Sequence, residues 1–413
     1  MGQYLDRIEA TQPAARWPLV RSLMYGEPIP FFRELRAEQP VLELPELTFC
    51  TRFADCTLIL RRHDDFKVDL YRPKQGDYFM AQDDTADHWR DKSIMKSVLD
   101  YERVPAMRAF VGDRTRAILK AGNGSIDAPR SLTRSVPISL VQEFFGFSGS
   151  DPQKLFEWSY WNQQDAFHNQ PFDAVAVPDP ERIIAKRKSA NIHLALYIGR
   201  LVAKRAIETK LGKERDDPVS RLLRLSFTGA LKFPVKKVLF NVGGLLIGAV
   251  ETTSHAVNNA IAELARRPDM MAKARAAASL ADPEPFDGYV YEALRFNPAF
   301  PYFFRTCHRA TELAGGTEHA TVVKPGTTIL AVTHSAMFDA ASFPNAEVFD
   351  SRRPLGDTFT YGYGIHECLG RAIARVMVPE IVRQCLRLPG FRAEGELEYR
   401  GGVPEKYMLR WDA

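Results

Sequence analysis

At 413 residues, with 45% apolar and 26% charged side chains, the chain can bury a sizeable core, and neither a disordered nor a fibrous protein fits that balance. A net charge of +4, with basic residues scattered among acidic ones, excludes the concentrated basic face of a nucleic-acid-binding protein. The five cysteines, Cys50, Cys56, Cys307, Cys368 and Cys385, are odd in number and lack C-x-x-C spacing, which points to a reducing compartment.

The N-terminal stretch MGQYLDRIEATQPAARW carries charge from its start and has no apolar h-region, so neither a signal peptide nor a membrane anchor is expected. Residues 41–53, VLELPELTFCTRF, hold short β-prone runs around Pro45 and predict a small hairpin. The longest apolar stretch, Val238 to Val250, is broken by Asn241 and glycines and is too short to span a bilayer. Residues 254–267 place Val257, Ile261 and Leu264 on one face of a helix ended by Pro268. Further on, TVV and TTILAV flank Lys324-Pro325-Gly326 and predict a second hairpin. From Leu369 to Leu388, Ile373, Val376, Val382 and Leu386 recur at helical spacing before Pro389-Gly390. With no internal repeat and no linker, one cytoplasmic domain over residues 1–413 is expected, mainly α with a small β-rich part.

The segment Tyr361-Gly362-Tyr363-Gly364-Ile365-His366-Glu367-Cys368-Leu369-Gly370 is a glycine-rich loop ending in a cysteine at the start of an amphipathic helix. A helix N-terminus and nearby backbone N–H groups are expected to favour the thiolate, the form an iron ligand must take. Gly362, Gly364 and Gly370 let the backbone turn sharply and lie against a flat macrocycle. A lone cysteine is usually a small buried hydrophobe. The pattern G-x-G-x-H-x-C-x-G, however, arises by chance from this composition only about 3 × 10⁻⁵ times per chain.

This loop resembles that of the cytochrome P450 family, F-x-x-G-x-[H/R]-x-C-x-G, with Tyr361 in the usual phenylalanine slot. The resemblance implies a P450-like fold with haem b between a long distal helix and the proximal cysteine loop, and Cys368 as the iron ligand. Glu292-Ala293-Leu294-Arg295 looks like the family's E-x-x-R motif, and Phe349-Asp350-Ser351-Arg352-Arg353 like the F-D-x-x-R segment whose arginine joins that pair. Ile247-Gly248-Ala249-Val250-Glu251-Thr252-Thr253 resembles the [A/G]-G-x-[D/E]-T-T element, which implies that Glu251 and Thr252 deliver protons to bound dioxygen. His88 and Lys92, in the place of H-x-x-x-R, together with Arg305 and His366, are the implied partners of the haem propionates.

The likeness also implies that Phe300-Pro301-Tyr302-Phe303-Phe304 lines a substrate pocket and that the loop with Lys67, Tyr71, Arg72, Lys74 and Gln75 reaches over it. At helical spacing the cluster Phe156, Trp158, Tyr160, Trp161 and Phe167 reads first as core. About 45 residues follow Cys368, too few for a fused flavin or iron–sulfur domain, so electrons are expected from a separate ferredoxin and reductase or an equivalent donor. Such a donor would meet Arg371, Arg375, Arg90 and Lys96 on the cysteine side. The implied activity is a monooxygenase inserting one oxygen atom from O2 into a mostly apolar, aromatic or cyclic organic substrate. A peroxide-consuming or hydroperoxide-rearranging enzyme would not need the Glu251–Thr252 pair, and a haem sensor or carrier would need neither that pair nor an aromatic pocket.

Overall fold

In the computed structural model, which describes residues 2–213 and 215–412 apart from the Asp357 side chain, the longest apolar stretch forms part of one 31-residue helix, Val235–Ala265. Pro234 caps its start, so the helix runs well beyond the amphipathic segment 254–267. It is apolar on almost every side because it is surrounded by the helices Ser135–Phe144, Pro152–His168, Pro180–Lys210, Glu284–Phe296 and Arg371–Leu386. Its buried polar residues find partners: Ser254 Oγ lies 2.8 Å from Thr133 Oγ1, and Asn258 Nδ2 donates to the same hydroxyl at 2.9 Å. Pro268 opens the next helix, Pro268–Ala278. None of the helices among the described residues is long and apolar enough to cross a membrane.

The strands are short and group at the edges of this helical body. They are β1 (Val41–Glu43), β2 (Thr48–Cys50), β3 (Phe66–Lys67), β4 (Ser125–Asp127), β5 (Phe303–Cys307), β6 (Thr311–Leu313), β7 (Thr321–Val323), β8 (Thr328–Ala331), β9 (Arg392–Arg400) and β10 (Val403–Arg410). One sheet has the order β1-β2-β8-β5-β3, a second β4-β10-β9, and β6 pairs with β7 alone. The hairpin predicted around Pro45 is present, with Val41 opposite Cys50.

The second predicted hairpin is not. TVV, in β7, pairs with β6, whereas TTILAV supplies β8, which lies parallel to β2 and antiparallel to β5. Gly326, at φ +87°, turns the chain so that its N–H donates to Cys307 O at 2.7 Å, which feeds β8 into the larger sheet. There Ile329, Leu330 and Ala331 are fully buried, a gain in apolar burial that pairing with β7, whose Val322 is exposed, would not provide. The molecule is thus mainly helical with small sheets, as expected.

Candidate functional site: a cysteine loop facing a notched helix

The loop before Cys368 is shaped by two left-handed glycines, Gly362 at φ +77° and Gly364 at φ +65°. A Cβ on Gly364 would also approach Leu60 O to 3.1 Å, so this loop is pressed against the end of the helix Phe53–Arg61. The turn is closed by the Cys368 N–H donating to Tyr361 O at 2.8 Å, and the helix Arg371–Leu386 follows at once. Burial raises the Cys368 thiol pKa, although the Gly370 N–H and the charges of Lys92 and Arg371 pull it down. The backbone N–H at the helix start favours the thiolate, as expected, but desolvation outweighs it. A bound metal cation deprotonates such a thiol outright.

Beside the loop, strand and helix ends bring a cluster of donors together. Arg305 Nε, His366 Nε2 and His63 Nδ1 are all buried, and none has a hydrogen-bond partner among the described residues. The His366 ring lies 5.8 Å from that of His63 and 5.3 Å from that of His88. Burial and the Arg305 charge lower the pKa of both His63 and His366. An orphaned buried donor costs about 1–3 kcal/mol, so several in one place mark where a buried acceptor belongs. Two carboxylates of a haem fit that donor set.

His88 and Lys92 reach the same place from the helix Ala86–Val98, but there they hold the loop. His88 Nδ1 lies 2.8 Å from Phe79 O and its Nε2 3.3 Å from Ile365 O. Lys92 Nζ donates to Ile365 O and, at 3.0 Å, to Glu367 O, and burial brings its pKa down to about 8. His63 escaped the sequence reading because it sits in no motif, just past the end of the helix Phe53–Arg61. Only the contact of that helix with Gly364 brings it to the loop.

Opposite lies a notch in the long helix. Gly248 is exposed in the middle of a buried helix, and nothing stands within 4 Å of where its Cβ would be, so the helix borders open space there. Thr252, one turn on, is half-buried and donates to Gly248 O at 2.5 Å. Glu251 points elsewhere. Both its carboxylate oxygens accept from Arg134 Nε at 3.0 Å, and burial pushes its pKa up to about 7 against the pull of that guanidinium. Arg134 donates in turn to Pro404 O at 2.8 Å and covers the rings of Phe156 and Tyr160. Arg134 was not foreseen, since its pairing spans 117 residues. Buried Tyr78 presses its ring on Gly244, where a Cβ would meet it at 2.3 Å, and burial raises its pKa.

Within the basic loop Arg72 is exposed, whereas Lys74 is tied down. Lys74 Nζ donates to Asp165 Oδ1 at 3.0 Å and to the carbonyls of Asp165 and Asn169, and Arg187 holds the other carboxylate oxygen at 2.9 Å. The segment 300–304 divides its side chains. Tyr302 and Phe304 are buried, with Phe304 stacked 4.1 Å from Tyr71, whereas Phe300 and Phe303 remain half-buried. In the second aromatic cluster Trp158 and Tyr160 are buried, as a core reading expects.

Glu292 and Arg295 form the buried network anticipated for them. Arg295 donates to both carboxylate oxygens, at 2.6 and 2.9 Å, Arg353 Nε lies 3.5 Å away, and the Asp350 N–H donates to Glu292 at 3.1 Å. Arg295 also donates to Met337 O at 3.0 Å, which ties the helix Glu284–Phe296 to the segment before the cysteine loop.

The cytochrome P450 family profile matches residues 61–392. Cytochrome P450 monooxygenase PikC of Streptomyces venezuelae is 28% identical over 327 residues, spanning 77% of this chain and 71% of that protein. The erythromycin C-12 hydroxylase of Saccharopolyspora erythraea is 26% identical over 360 residues, 84% of each chain. The crystal structure of CalO2 superimposes with a TM-score of 0.79 at 19% identity, covering 94% of this chain and 96% of that one. The chain belongs to the cytochrome P450 family, and is an oxidoreductase of its monooxygenase class, with a haem cofactor.

Proposed function

We propose that this chain, acting as one cytochrome P450 domain in the cytoplasm, inserts one atom of dioxygen into a mostly apolar, aromatic or cyclic organic substrate. The cofactor is haem b, and a separate ferredoxin and reductase, or an equivalent donor, supply two electrons. The observation that carries this reading is the notch at Gly248 and Thr252, an open polar step in an otherwise buried helix.

Haem, which Cys368 would hold through its sulfur, would supply the redox chemistry that activates dioxygen. Arg305 would supply the positive charge facing its carboxylates and His366 and His63 neutral N–H donors, with His88 and Lys92 alongside on the loop. One oxygen atom enters the substrate, and the other leaves as water after taking up two protons and two electrons. Thr252 Oγ1 presents the last proton at the notch, and Glu251, buried behind it, is the acid that resupplies it on leaving Arg134. Half-buried Phe300 and Phe303 give the space an apolar wall. Exposed Arg375 and Lys96 lie near the cysteine loop and suit an acidic electron donor, whereas Arg90 and Arg371 are already paired with Asp91 and Glu367.

Retention of an acid and an alcohol at the notch favours dioxygen over a peroxide as oxidant. Thr252→Ala tests this directly. Haem content and substrate affinity should be retained while the electrons consumed are diverted into hydrogen peroxide. Unchanged product formed per electron would remove Thr252 from the relay.

A further inference from the structure

Where the last turns of the helix Pro152–His168 meet the long helix, two histidines face each other. The His168 and His255 rings lie 6.0 Å apart, and Phe300 stands 6.4 Å from the first and 6.1 Å from the second. Neither imidazole has a hydrogen-bond partner among the described residues, although His255 is 94% buried. Their ring nitrogens are not among the buried side-chain atoms left without a partner, so they keep accessible surface where a ligand group can reach them. His168 is half-buried by its surface yet deep in the molecule, and its neighbours Phe167 and Phe300 are half-buried too.

The placement is held firmly. Gly402, at the turn between β9 and β10, lies against His168, where a Cβ would come within 2.1 Å of the ring. Gln164 ties that turn to the helix by donating to Arg400 O at 3.3 Å. Tyr399 donates to Asn259 Oδ1 at 2.6 Å, one turn beyond His255. His255 in turn lies one residue from Ala256, which continues the half-buried face begun by Gly248 and Thr252. His255 lies three residues after Thr252 on the same side of the long helix, so the two imidazoles stand about one turn from the notch.

We propose that His168 and His255 form a polar end-stop for the substrate, recognising a hydroxyl group on an uncharged, ring-containing molecule whose apolar body lies along Phe300 towards Thr252. This rests on the monooxygenase reading and gives its substrate a chemical class. A neutral imidazole carries one N–H donor and one acceptor nitrogen, so the pair can both donate to and accept from one hydroxyl. Burial holds both rings in the neutral form, with His168 lowered to about 3 and His255 lowered well below the usual histidine range. The guanidiniums whose charge reaches the pair, Arg21 and Arg134, are already held by Asp173 and Glu251, so a carboxylate would find no free counter-charge there.

The test is a titration of the haem-loaded enzyme with biphenyl, 4-phenylphenol and 4-phenylbenzoate, read by equilibrium dialysis and by the Soret shift. The wild type should bind 4-phenylphenol about tenfold more tightly than biphenyl, the worth of one good hydrogen bond. His255→Leu and His168→Leu should each remove that preference while leaving biphenyl binding in place, and His255→Asn, which keeps a donor and an acceptor, should restore part of it. No preference in the wild type, a preference that survives both leucine variants, or tighter binding of the benzoate overturns the proposal. The carbon-monoxide spectrum of the same samples reports separately on the haem-thiolate reading, so the two failures are distinguishable.

Discussion

Glu251 combines two requirements that pull against each other. Its carboxylate is clamped by Arg134, yet burial lifts its pKa to about 7. A carboxylic acid acts as a proton donor only while protonated, below its pKa. Product formed per electron should therefore fall as pH rises through about 7, and Glu251→Gln should show a low yield with no such inflection. A wild-type pH profile that is flat from pH 6 to 8, or an inflection kept by Glu251→Gln, would contradict the role. Glu251, Thr252 and Cys368 were legible in the sequence because each sits in a short motif of spaced residue types. Arg134, His63 and His168 were not, because their meaning comes from partners on other elements that no local pattern names. The pairing of Glu367 with Arg371, by contrast, is a local i, i+4 pattern open to sequence reading, and that ion pair screens the charge Glu367 places beside Cys368.

Among the elements, the Glu284–Phe296 helix and the segment after Met337 depend on one buried ion network. Glu292 and Arg295 have almost no exposed side-chain surface, so removing one charge leaves the other in low dielectric without compensation. Glu292→Gln keeps the shape and removes the charge. It should lower the unfolding free energy by about 3–5 kcal/mol. Chemical denaturation of the haem-loaded protein measures this, and an unchanged midpoint would show that the network does not hold the fold. The sequence identified this pair through its i, i+3 spacing together with the later Phe-Asp-x-x-Arg segment. Strand pairing was less legible. The runs in β7 and β8 look like two arms of one hairpin, but local β propensity carries no information on partners, and the larger buried sheet claims β8. By periodicity the long helix was visible only in its amphipathic second half, because a helix surrounded by other helices loses the polar face that marks its period, and its first half was reached only through the family resemblance.

On the scale of the whole molecule, every proposed part converges on one centre. The cysteine loop, the orphaned donors of Arg305, His63 and His366, and the notch at Gly248 and Thr252 belong to segments far apart in the chain. The mainly helical class and the family were legible from the cysteine loop and the order of motifs. The open space between the segments was not, since it exists only once the long helix is enclosed. What unites the parts is an iron held by the Cys368 sulfur, which a purified, haem-loaded sample tests directly. Reduced and exposed to carbon monoxide, the wild type should absorb at the long-wavelength Soret position of thiolate ligation, and Cys368→Ser should lose that band. A wild-type spectrum like that of a histidine-ligated haem, or a band that survives in Cys368→Ser, would contradict the account.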